Sequence, residues 1–183
     1  MKKIILVVFF LGQLTISCES DVYKTKSGEY ASVEGNFIAK FPNEPSLNII
    51  DNKVGLQEYK IHHYGTSITP KKIFSLEYID YPTNEINGYT DSELHTKTIE
   101  NILFKLQNKF KLEYQEDIIQ HGLKGKFFIL EFKNETDREF GFVMGKLFRV
   151  KNRIYSVLYT GKNEKSVDPF MKSFRLLKSN NHN

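Results

Sequence analysis

One segment of the chain spaces its apolar side chains as a helix does, and this segment constrains what the remaining chain can fold into. It begins at Thr90, and Glu93 three residues later completes the spacing of a capping box with acidic residues in the first turn. The side chains of the stripe then recur at steps of three and four residues: Leu94, Thr98, Ile99, Ile102, Leu103, Leu106 and Phe110. Because a helix with one apolar side has to bury that side, the pattern predicts one long helix packed on a second layer of structure.

The second layer is predicted from segments in which apolar and polar side chains alternate, as they do in strands with one buried face. Phe74, Leu76 and Tyr78, for example, alternate with Ser75 and Glu77. The same reasoning predicts strands at residues 37–41, 56–64, 72–81, 112–119, 126–132, 140–150 and 153–160. Connections of hairpin length join the last four of these, which predicts antiparallel pairing, whereas the prolines and asparagines of residues 42–48 predict a loop.

The predicted fold is therefore α+β, an antiparallel β-sheet packed by one long helix and a short C-terminal helix. Asp168 and Pro169 predict the short helix, because a capping residue is followed there by proline at the first helical position, and the helix is expected to run through Phe170 and Phe174. With 183 residues the chain has the length of one globular domain. We place that domain at residues 35–178, and the polar residues 179–183 predict a frayed tail.

The N-terminal residues have the pattern of an export signal. Lys2 and Lys3 precede eight consecutive apolar residues at positions 4–11, a run too short to span a bilayer, which needs about 20. The only cysteine of the chain, Cys18, stands at the expected place, directly after Ser17. Residues 14–18 resemble the lipobox of bacterial lipoproteins, in which this cysteine is lipidated and becomes the first mature residue, although Thr15 stands where the motif usually has Leu, Val or Ile.

This resemblance predicts the organisation of the N-terminal part and a location. Residues 1–17 are predicted to be a lipoprotein signal peptide and residues 18–34 a polar, lipidated tether. An acyl chain such as palmitate is expected to hold Cys18 in a membrane of the cell envelope, and we expect the outer membrane, on its periplasmic or surface face. Two alternatives stay open at this point: a buried free cysteine, and an ordinary cleaved signal peptide that leaves the thiol unmodified.

Composition excludes several classes of protein. A single cysteine excludes an intramolecular disulfide framework and a zinc site built on several thiolates. The basic residues are 22 Lys and only 4 Arg, against 22 acidic residues. This nearly balanced, arginine-poor charge is not the footprint of a nucleic-acid-binding protein. We therefore expect no nucleic-acid partner.

Candidate catalytic or metal-binding residues are few. His62 and His63 are adjacent on a predicted strand, where neighbouring side chains face opposite sides of the sheet and do not readily bind one metal ion. The other candidates are two isolated histidines and two acidic pairs: His95, His121, Glu116 with Asp117, and Asp137 with Glu139. The sequence contains no Gly-x-Ser-x-Gly motif, no HExxH zinc motif and no phosphate-binding loop. We therefore expect no catalytic residue, no metal and no cofactor.

Two stretches of the chain resemble PsbP-like domains. Residues 35–45 contain a predicted strand that closes in Phe41-Pro42-x-x-Pro45, which is similar to the start of such domains. Residues 145–157, followed by the Phe-x-x-Ser-Phe ending within residues 170–176, resemble the last hairpin and the terminal helix of that fold. The resemblance spans residues 35–177 and implies a non-enzymatic antiparallel α+β scaffold without a shared catalytic motif.

The expected function is that of a lipid-anchored cell-envelope protein, a non-enzymatic binding or assembly module. Its expected partners are the membrane, through the N-terminal lipid, and an envelope protein. Two alternatives stay open: an envelope enzyme whose active site has no recognised motif, and a metal-handling lipoprotein that uses His62 or His63 with distant acids. No motif predicts which residues bind a ligand.

Overall fold

We describe the fold from a computed structural model, and the description covers residues 21–54, 57–107, 109–132, 141–162 and 165–177. The strands are β1 (Val22–Lys24), β2 (Tyr30–Ser32), β3 (Phe37–Ala39), β4 (Ser46–Val54), β5 (Gln57–Thr69), β6 (Lys72–Asp80), β7 (Phe110–Gln120), β8 (Leu123–Phe132), β9 (Phe142–Val150), β10 (Arg153–Gly161) and β11 (Arg175–Leu176). The helices are α1 (Thr83–Ile86), α2 (Asp91–Lys105) and α3 (Asp168–Ser173). Among the described residues, no helix is long and apolar enough to cross a membrane.

Seven of these strands form a large antiparallel sheet in the order β4-β5-β6-β10-β9-β8-β7. At its centre β6 and β10 pair so that Asp80 lies opposite Arg153 and Phe74 opposite Tyr159. The strands from β5 to β10 correspond to six of the predicted ones, and the antiparallel α+β fold is confirmed. The remaining predicted strand, at residues 37–41, is β3 and belongs to a different sheet.

A second, small antiparallel sheet, in the order β1-β2-β3-β11, was not predicted. Val22 of β1 pairs with Ser32 of β2, and all three residues of β2 are buried. Over residues 21–34 the structure therefore differs from the predicted tether, because the folded domain includes β1 and β2 and extends well before residue 35; residues 18–20 of the predicted tether lie outside the described residues. Strands of three residues are too short to show an alternating pattern, and they are stabilised by their neighbours in the sheet.

Like the short helix α1, β4 (Ser46–Val54) is another element that the sequence did not predict. It begins directly after Pro45, within the stretch whose prolines and asparagines predicted a loop, and it pairs with β5 along its whole length. Because β4 is an outer strand of the sheet, Ile49 and Ile50 are about half exposed instead of buried in a core. When the apolar residues of a strand are not gathered on one buried face, apolar and polar residues do not alternate clearly in the sequence.

The small sheet and α3 cover one face of the large sheet and enclose the main core. β6 and β10 each contribute three buried side chains at positions two apart: Phe74, Leu76, Tyr78, Tyr155, Val157 and Tyr159. Phe37 of β3 and Phe174, which follows α3, join the same cluster, and the rings of Phe174 and Phe148 stack with 5.0 Å between their centroids. The predicted alternation of β6 and β10 thus places one side of each strand in this core.

α2 has the predicted start but a different end. The Thr90 hydroxyl accepts a hydrogen bond from the Glu93 N–H at 3.3 Å, and the Glu93 carboxylate accepts one from the Thr90 N–H at 2.8 Å, so both halves of the capping box are present. The helix ends at Lys105. Phe110, which the sequence assigned to the helical stripe, is instead the first residue of β7.

α2 packs on the opposite face of the large sheet, over β8 and β9. Ile99 is 3% exposed and lies in a second hydrophobic cluster with Phe128 and Leu147. Phe110 joins this cluster from β7. His95, a polar residue that the predicted stripe did not include, is also buried under the helix.

α3 begins one residue earlier than predicted. Val167 occupies the N-cap position, Asp168 is the first helical residue, and Pro169 lies in the first turn. The Asp168 carboxylate and the Lys172 ammonium group form an ion pair at 2.7 Å across one turn. The helix ends at Ser173, so Phe174 follows it as part of the core.

Candidate functional site

The described chain starts at Asp21, and buried neighbours hold the side chain of this residue. Its Oδ2 accepts a hydrogen bond from the Ser32 hydroxyl and another from the Tyr64 hydroxyl at 3.2 Å. The Ser32 oxygen also accepts a hydrogen bond from the Gly35 N–H at 2.7 Å. Asp21 is therefore tied to β2, to the β2–β3 turn (residues 33–36) and to β5 of the large sheet.

Tyrosines surround this carboxylate on the large sheet. The rings of Tyr64 and Tyr78 lie 6.2 Å apart, centroid to centroid. Burial raises the pKa of both hydroxyls above the ordinary value for tyrosine, so both stay protonated at neutral pH. A protonated Tyr64 hydroxyl is a donor that the Asp21 carboxylate can use, and this polar cluster favours one position for the start of the domain.

Arg153 joins the β2–β3 turn to the centre of the large sheet. Its guanidinium group donates to both carboxylate oxygens of Asp80, at 2.7 and 2.6 Å, and to the Glu34 carbonyl oxygen at 2.9 Å. The same group lies 3.9 Å from the centroid of the Tyr78 ring, and His62 stacks on that ring with 4.4 Å between centroids. These contacts fix the turn at the end of the sheet where β6 ends and β10 begins.

We refer to this end of the molecule as the Asp21 end. It consists of Asp21, the β2–β3 turn (33–36), the β6–α1 connection (81–82) and the β9–β10 turn (151–152). The last two segments are joined by two hydrogen bonds of 2.9 Å, from the Tyr81 N–H to the Asn152 carbonyl oxygen and from the Asn152 side-chain amide to the Tyr81 carbonyl oxygen. The segments of the Asp21 end are therefore held together by hydrogen bonds as well as by the core.

A groove of about 330 Å³ opens beside the Asp21 end, between α1, α2 and the start of β10. Its lining residues are Tyr81, Glu85, Ile86, Tyr89, Leu94, Lys97, Thr98, Asn101 and Ile154. Ile86 and Ile154 are buried, whereas Tyr89 is exposed. This volume lies within the range of small-ligand sites, roughly 300 to 1,000 Å³, and we call the feature the α1–α2 groove.

Aromatic and hydrogen-bonding groups dominate the chemistry of the α1–α2 groove. The Lys97 ammonium nitrogen lies 3.8 Å from the centroid of the Tyr89 ring, a cation–π contact. Glu85 accepts a hydrogen bond from the Tyr59 hydroxyl at 2.5 Å, which raises the pKa of Tyr59 to about 12. Burial raises the pKa of Tyr81. The hydroxyls of Tyr59 and Tyr81 are therefore protonated at neutral pH and the Glu85 carboxylate is already hydrogen-bonded, an arrangement that suits binding better than proton transfer.

A wider depression of about 460 Å³ adjoins α1, and its charged lining residues are Asp91, Arg149 and Lys151. The Arg149 guanidinium group donates to the Asp91 carboxylate at 3.1 Å and to three carbonyl oxygens, those of Ile86, Tyr89 and Lys151, at 3.3, 3.0 and 3.0 Å. Arg149 thus joins the α1–α2 connection to the β9–β10 turn. These contacts also stabilise one wall of the α1–α2 groove.

The two adjacent histidines lie on opposite faces of the sheet, as the alternation of a strand predicts. His62 stacks on Tyr78 in the main core, and its Nδ1 lies 3.9 Å from a carboxylate oxygen of Glu34. The Nδ1 of His63 is 2.8 Å from the Glu77 carboxylate. Burial opposes ionisation of Glu77, but the hydrogen bond to His63 outweighs it and the pKa of Glu77 is lowered. The structure therefore does not bring His62 and His63 together.

The other two candidate histidines, His95 and His121, have different surroundings. His95 is buried under α2, where burial lowers its pKa, and its Nε2 has no hydrogen-bond partner among the described residues. His121 is exposed, and its Nε2 lies 3.1 Å from the Lys172 carbonyl oxygen. Across the described ranges, no group of three or more His, Cys, Asp or Glu side chains is placed to hold a metal ion.

The acidic candidates form local contacts on the exposed strand β7. Glu116 accepts a hydrogen bond from the Tyr114 hydroxyl at 3.0 Å, and Asp117 pairs with the Lys126 ammonium group at 2.8 Å. The lysine lowers the pKa of Asp117, so this carboxylate is ionised and paired at neutral pH. The other candidates, Cys18, Asp137 and Glu139, lie outside the described residues.

Sequence reasoning missed both features of this site. Asp21 lies in a polar stretch that the sequence predicted to be a tether. Its role in fixing the start of the folded domain is evident only from its hydrogen bonds. The α1–α2 groove combines β10 with residues about 60 positions earlier in the chain. The one local signal was the aromatic pair Tyr81 and Tyr89, which flanks a short polar segment between a strand and the capping box.

Comparison with known proteins locates the fold. No protein-family model matches the chain, and no curated protein matches it. The solution structure of cyanobacterial PsbP (CyanoP) from Synechocystis sp. PCC 6803 is similar, with a TM-score of 0.54 and 11% sequence identity, over 91% of this chain and 98% of that one. A protein of unknown function from Pseudomonas aeruginosa is 12% identical over 81% of this chain and 85% of its own, with a TM-score of 0.29.

The similarity to CyanoP extends over nearly the whole of both chains, and it agrees with the two antiparallel sheets and the single long helix described above. At 11% identity such a likeness concerns the backbone arrangement and no individual side chain. The resemblance to PsbP-like domains is therefore confirmed at the level of the fold, and the chain has a PsbP-like α+β fold.

Proposed function

We propose that the protein is a lipid-anchored, non-enzymatic module of the cell envelope, attached to the outer membrane through Cys18 and binding a partner in the α1–α2 groove. The observation that carries the proposal is the position of Asp21, which is held by hydrogen bonds only three residues after the single cysteine. A lipid on Cys18 would keep the folded domain next to the bilayer. The groove beside the Asp21 end would then be presented close to that membrane.

The chemistry of the groove supports binding over catalysis. Burial raises the pKa of Tyr81, which keeps its hydroxyl protonated at physiological pH, and the one carboxylate in the lining, that of Glu85, already accepts a hydrogen bond from Tyr59. Apolar side chains next to aromatic rings are typical of surfaces that bind a protein segment or a small amphipathic ligand. A proteinaceous partner in the envelope is the occupant that we propose.

Replacing the proposed lipidation site tests the anchor. In the native host, Cys18→Ala is expected to move the protein from the membrane fraction to the soluble fraction, because acyl chains supply the membrane affinity. The variant is expected to unfold at the same urea concentration as the wild type, since the hydrogen bonds of Asp21 do not involve Cys18.

The matched control is Ser17→Ala, which keeps the cysteine. Membrane fractionation and the intact mass of the purified protein are the measurements. A wild-type mass without a diacylglyceryl group, or membrane association that is unchanged in Cys18→Ala, would contradict the proposed anchor and favour an unmodified thiol.

Site-specific photo-crosslinking tests the binding role. A photoreactive phenylalanine analogue at Tyr89 is expected to capture a specific envelope protein in living cells, because Tyr89 lines the α1–α2 groove. The same analogue at Phe104, an exposed residue of α2 that does not line the groove, is the control. Identical crosslinking patterns at the two positions would show that the groove has no specific occupant.

A further inference from the structure

We propose that the Asp21 end of the domain is its membrane-facing surface and lies against the phospholipid headgroups, so that the strands of the large sheet point away from the bilayer. This inference rests on the proposed lipidation of Cys18. It adds an orientation, and it names the bilayer itself as the occupant of one particular surface.

The first step is the reach of the chain between anchor and fold. Three peptide units separate the Cα atoms of Cys18 and Asp21, and since consecutive Cα atoms are about 3.8 Å apart, the two atoms lie within about 11 Å of each other. Asp21 itself is fixed, because Ser32 and Tyr64 donate hydrogen bonds to its carboxylate. A lipid on Cys18 therefore restricts the domain to positions in which Asp21 is close to the membrane surface.

The second step is where Asp21 lies in the molecule. The register that pairs Val22 with Ser32 brings Val33 of the β2–β3 turn next to Asp21. Arg153 bonds the same turn to the end of the large sheet through the Glu34 carbonyl oxygen. The β2–β3 turn next to Asp21 is thus at one end of the strands, where Glu34 lies beside His62. Asp21 itself contacts Tyr64, two residues further along β5. Ile68, near the opposite end of β5, is six residues beyond His62, roughly 20 Å from the turn at about 3.3 Å per residue.

The third step is the chemistry of the surface around Asp21. Val33 is 63% exposed and Tyr23 is 47% exposed, and an exposed aliphatic side chain beside an exposed tyrosine suits the boundary between headgroups and water. The arginines near this end are paired with carboxylates: Arg153 with Asp80 at 2.6 Å, and Arg149 with Asp91 at 3.1 Å. Paired charges do not repel lipid headgroups and do not require anionic lipids.

The test uses the full-length lipidated protein, in which the sulfur of Cys18 is blocked as a thioether. A second cysteine is introduced as Val33→Cys, near the proposed membrane surface, or as Ile68→Cys, a β-branched residue of β5 that is 51% exposed at the other end of the sheet. Each introduced thiol carries an environment-sensitive fluorophore. The proteins are incorporated into vesicles of phosphatidylethanolamine and phosphatidylglycerol that contain a lipid with a nitroxide on its headgroup.

Quenching by the nitroxide is expected to be at least about twofold stronger at position 33 than at position 68, because a separation of roughly 20 Å removes the second label from the headgroup layer. Equal quenching, or stronger quenching at position 68, in protein that floats with the vesicles would overturn the orientation while leaving the lipid anchor intact. A protein that does not float, and in which Cys18 reacts with the fluorophore, would overturn the proposed function and this inference with it.

A flexible insertion separates the effect of the short connection from any intrinsic affinity of the surface. About ten glycine and serine residues placed between Ser20 and Asp21 lengthen the connection several-fold. We expect flotation to be unchanged and quenching at position 33 to fall towards the value at position 68. Unchanged quenching at position 33 would also support the orientation, because the surface of the Asp21 end would then stay against the headgroups without the short connection. Equal quenching at positions 33 and 68 with the native connection remains the result that overturns the orientation. Equal urea midpoints of all labelled variants exclude unfolding as the cause.

Discussion

Single residues connect the beginning of the folded chain to its end, and Glu29 does so most directly. Both of its carboxylate oxygens accept hydrogen bonds of 2.7 Å from the Arg175 guanidinium group, which joins the β1–β2 hairpin to β11. Hydrogen bonding to Arg175, with help from Ser27, lowers the pKa of Glu29 from 4.5 to about 2. The folded state therefore prefers the ionised form more strongly than the unfolded state does.

Because of this preference, we expect the free energy of unfolding to depend on pH in the acidic range. Since the pKa is 4.5 in the unfolded chain and about 2 in the fold, the stabilisation is complete above pH 4.5 and is lost as the pH falls towards 2. Glu29→Gln is expected to lower the free energy of unfolding at pH 7 by about 1 to 3 kcal/mol, and the difference from the wild type is expected to shrink between pH 5 and pH 2. Urea unfolding at several pH values measures it.

Glu44→Gln, at an exposed position before β4, is the control and is expected to change the free energy of unfolding little at any pH. A difference between Glu29→Gln and the wild type that stays constant down to pH 2 would mean that the ion pair with Arg175 does not form in solution.

At the scale of elements, α2 is the helix whose stability depends most clearly on one buried side chain. Ile99→Ala is expected to cost about 2 to 5 kcal/mol, because Ile99 is 3% exposed against β8 and β9 and its loss leaves a cavity. Phe104→Ala, on the same helix but at a residue that is 76% exposed, is expected to change the free energy of unfolding by less than about 0.5 kcal/mol. The measurement is the urea midpoint of each variant. Similar costs for both would mean that α2 does not pack on the sheet as described.

Some elements were predictable because their signals are local. The capping box at Thr90 and Glu93 defines the start of α2 within four residues, and alternation over eight or more residues marks β6 and β10. β1, β2 and β4 were not predictable, because strands that are short or lie at a sheet edge depend on neighbours distant in sequence. The end of α2 was misplaced because Phe110 continues the helical spacing although it belongs to β7.

The candidate site was less predictable than the fold. The location of Asp21 depends on Tyr64, more than 40 positions away, and the groove depends on the packing of α1 against β10. Neither contact leaves a pattern within a short window of sequence. The opposite orientation of His62 and His63 was predictable, since it needs only the alternation of a single strand.

For the whole molecule, the structure predicts where the independently folding unit begins. A chain that starts at Asp21 is expected to keep the urea midpoint of the full-length protein. A chain that starts at Val33 lacks β1 and β2, which exposes Tyr64 and Phe37 of the main core, and its midpoint is expected to fall strongly or its cooperative transition to be lost. If the shorter chain were as stable as the longer one, residues 21–32 would be a tether after all.

β7, one of the two edge strands of the large sheet, bears on whether copies of the protein can associate edge to edge. β7 carries a bulge between Leu112 and Tyr114, and Lys111 and Glu113 beside it form an ion pair at 3.1 Å. A strand from another copy could extend the sheet here only by matching this irregular spacing and by stripping water from both charges. At high protein concentration, β7 is therefore expected not to pair with a strand of another copy and not to start an amyloid-like fibril, even though it is long and exposed to solvent.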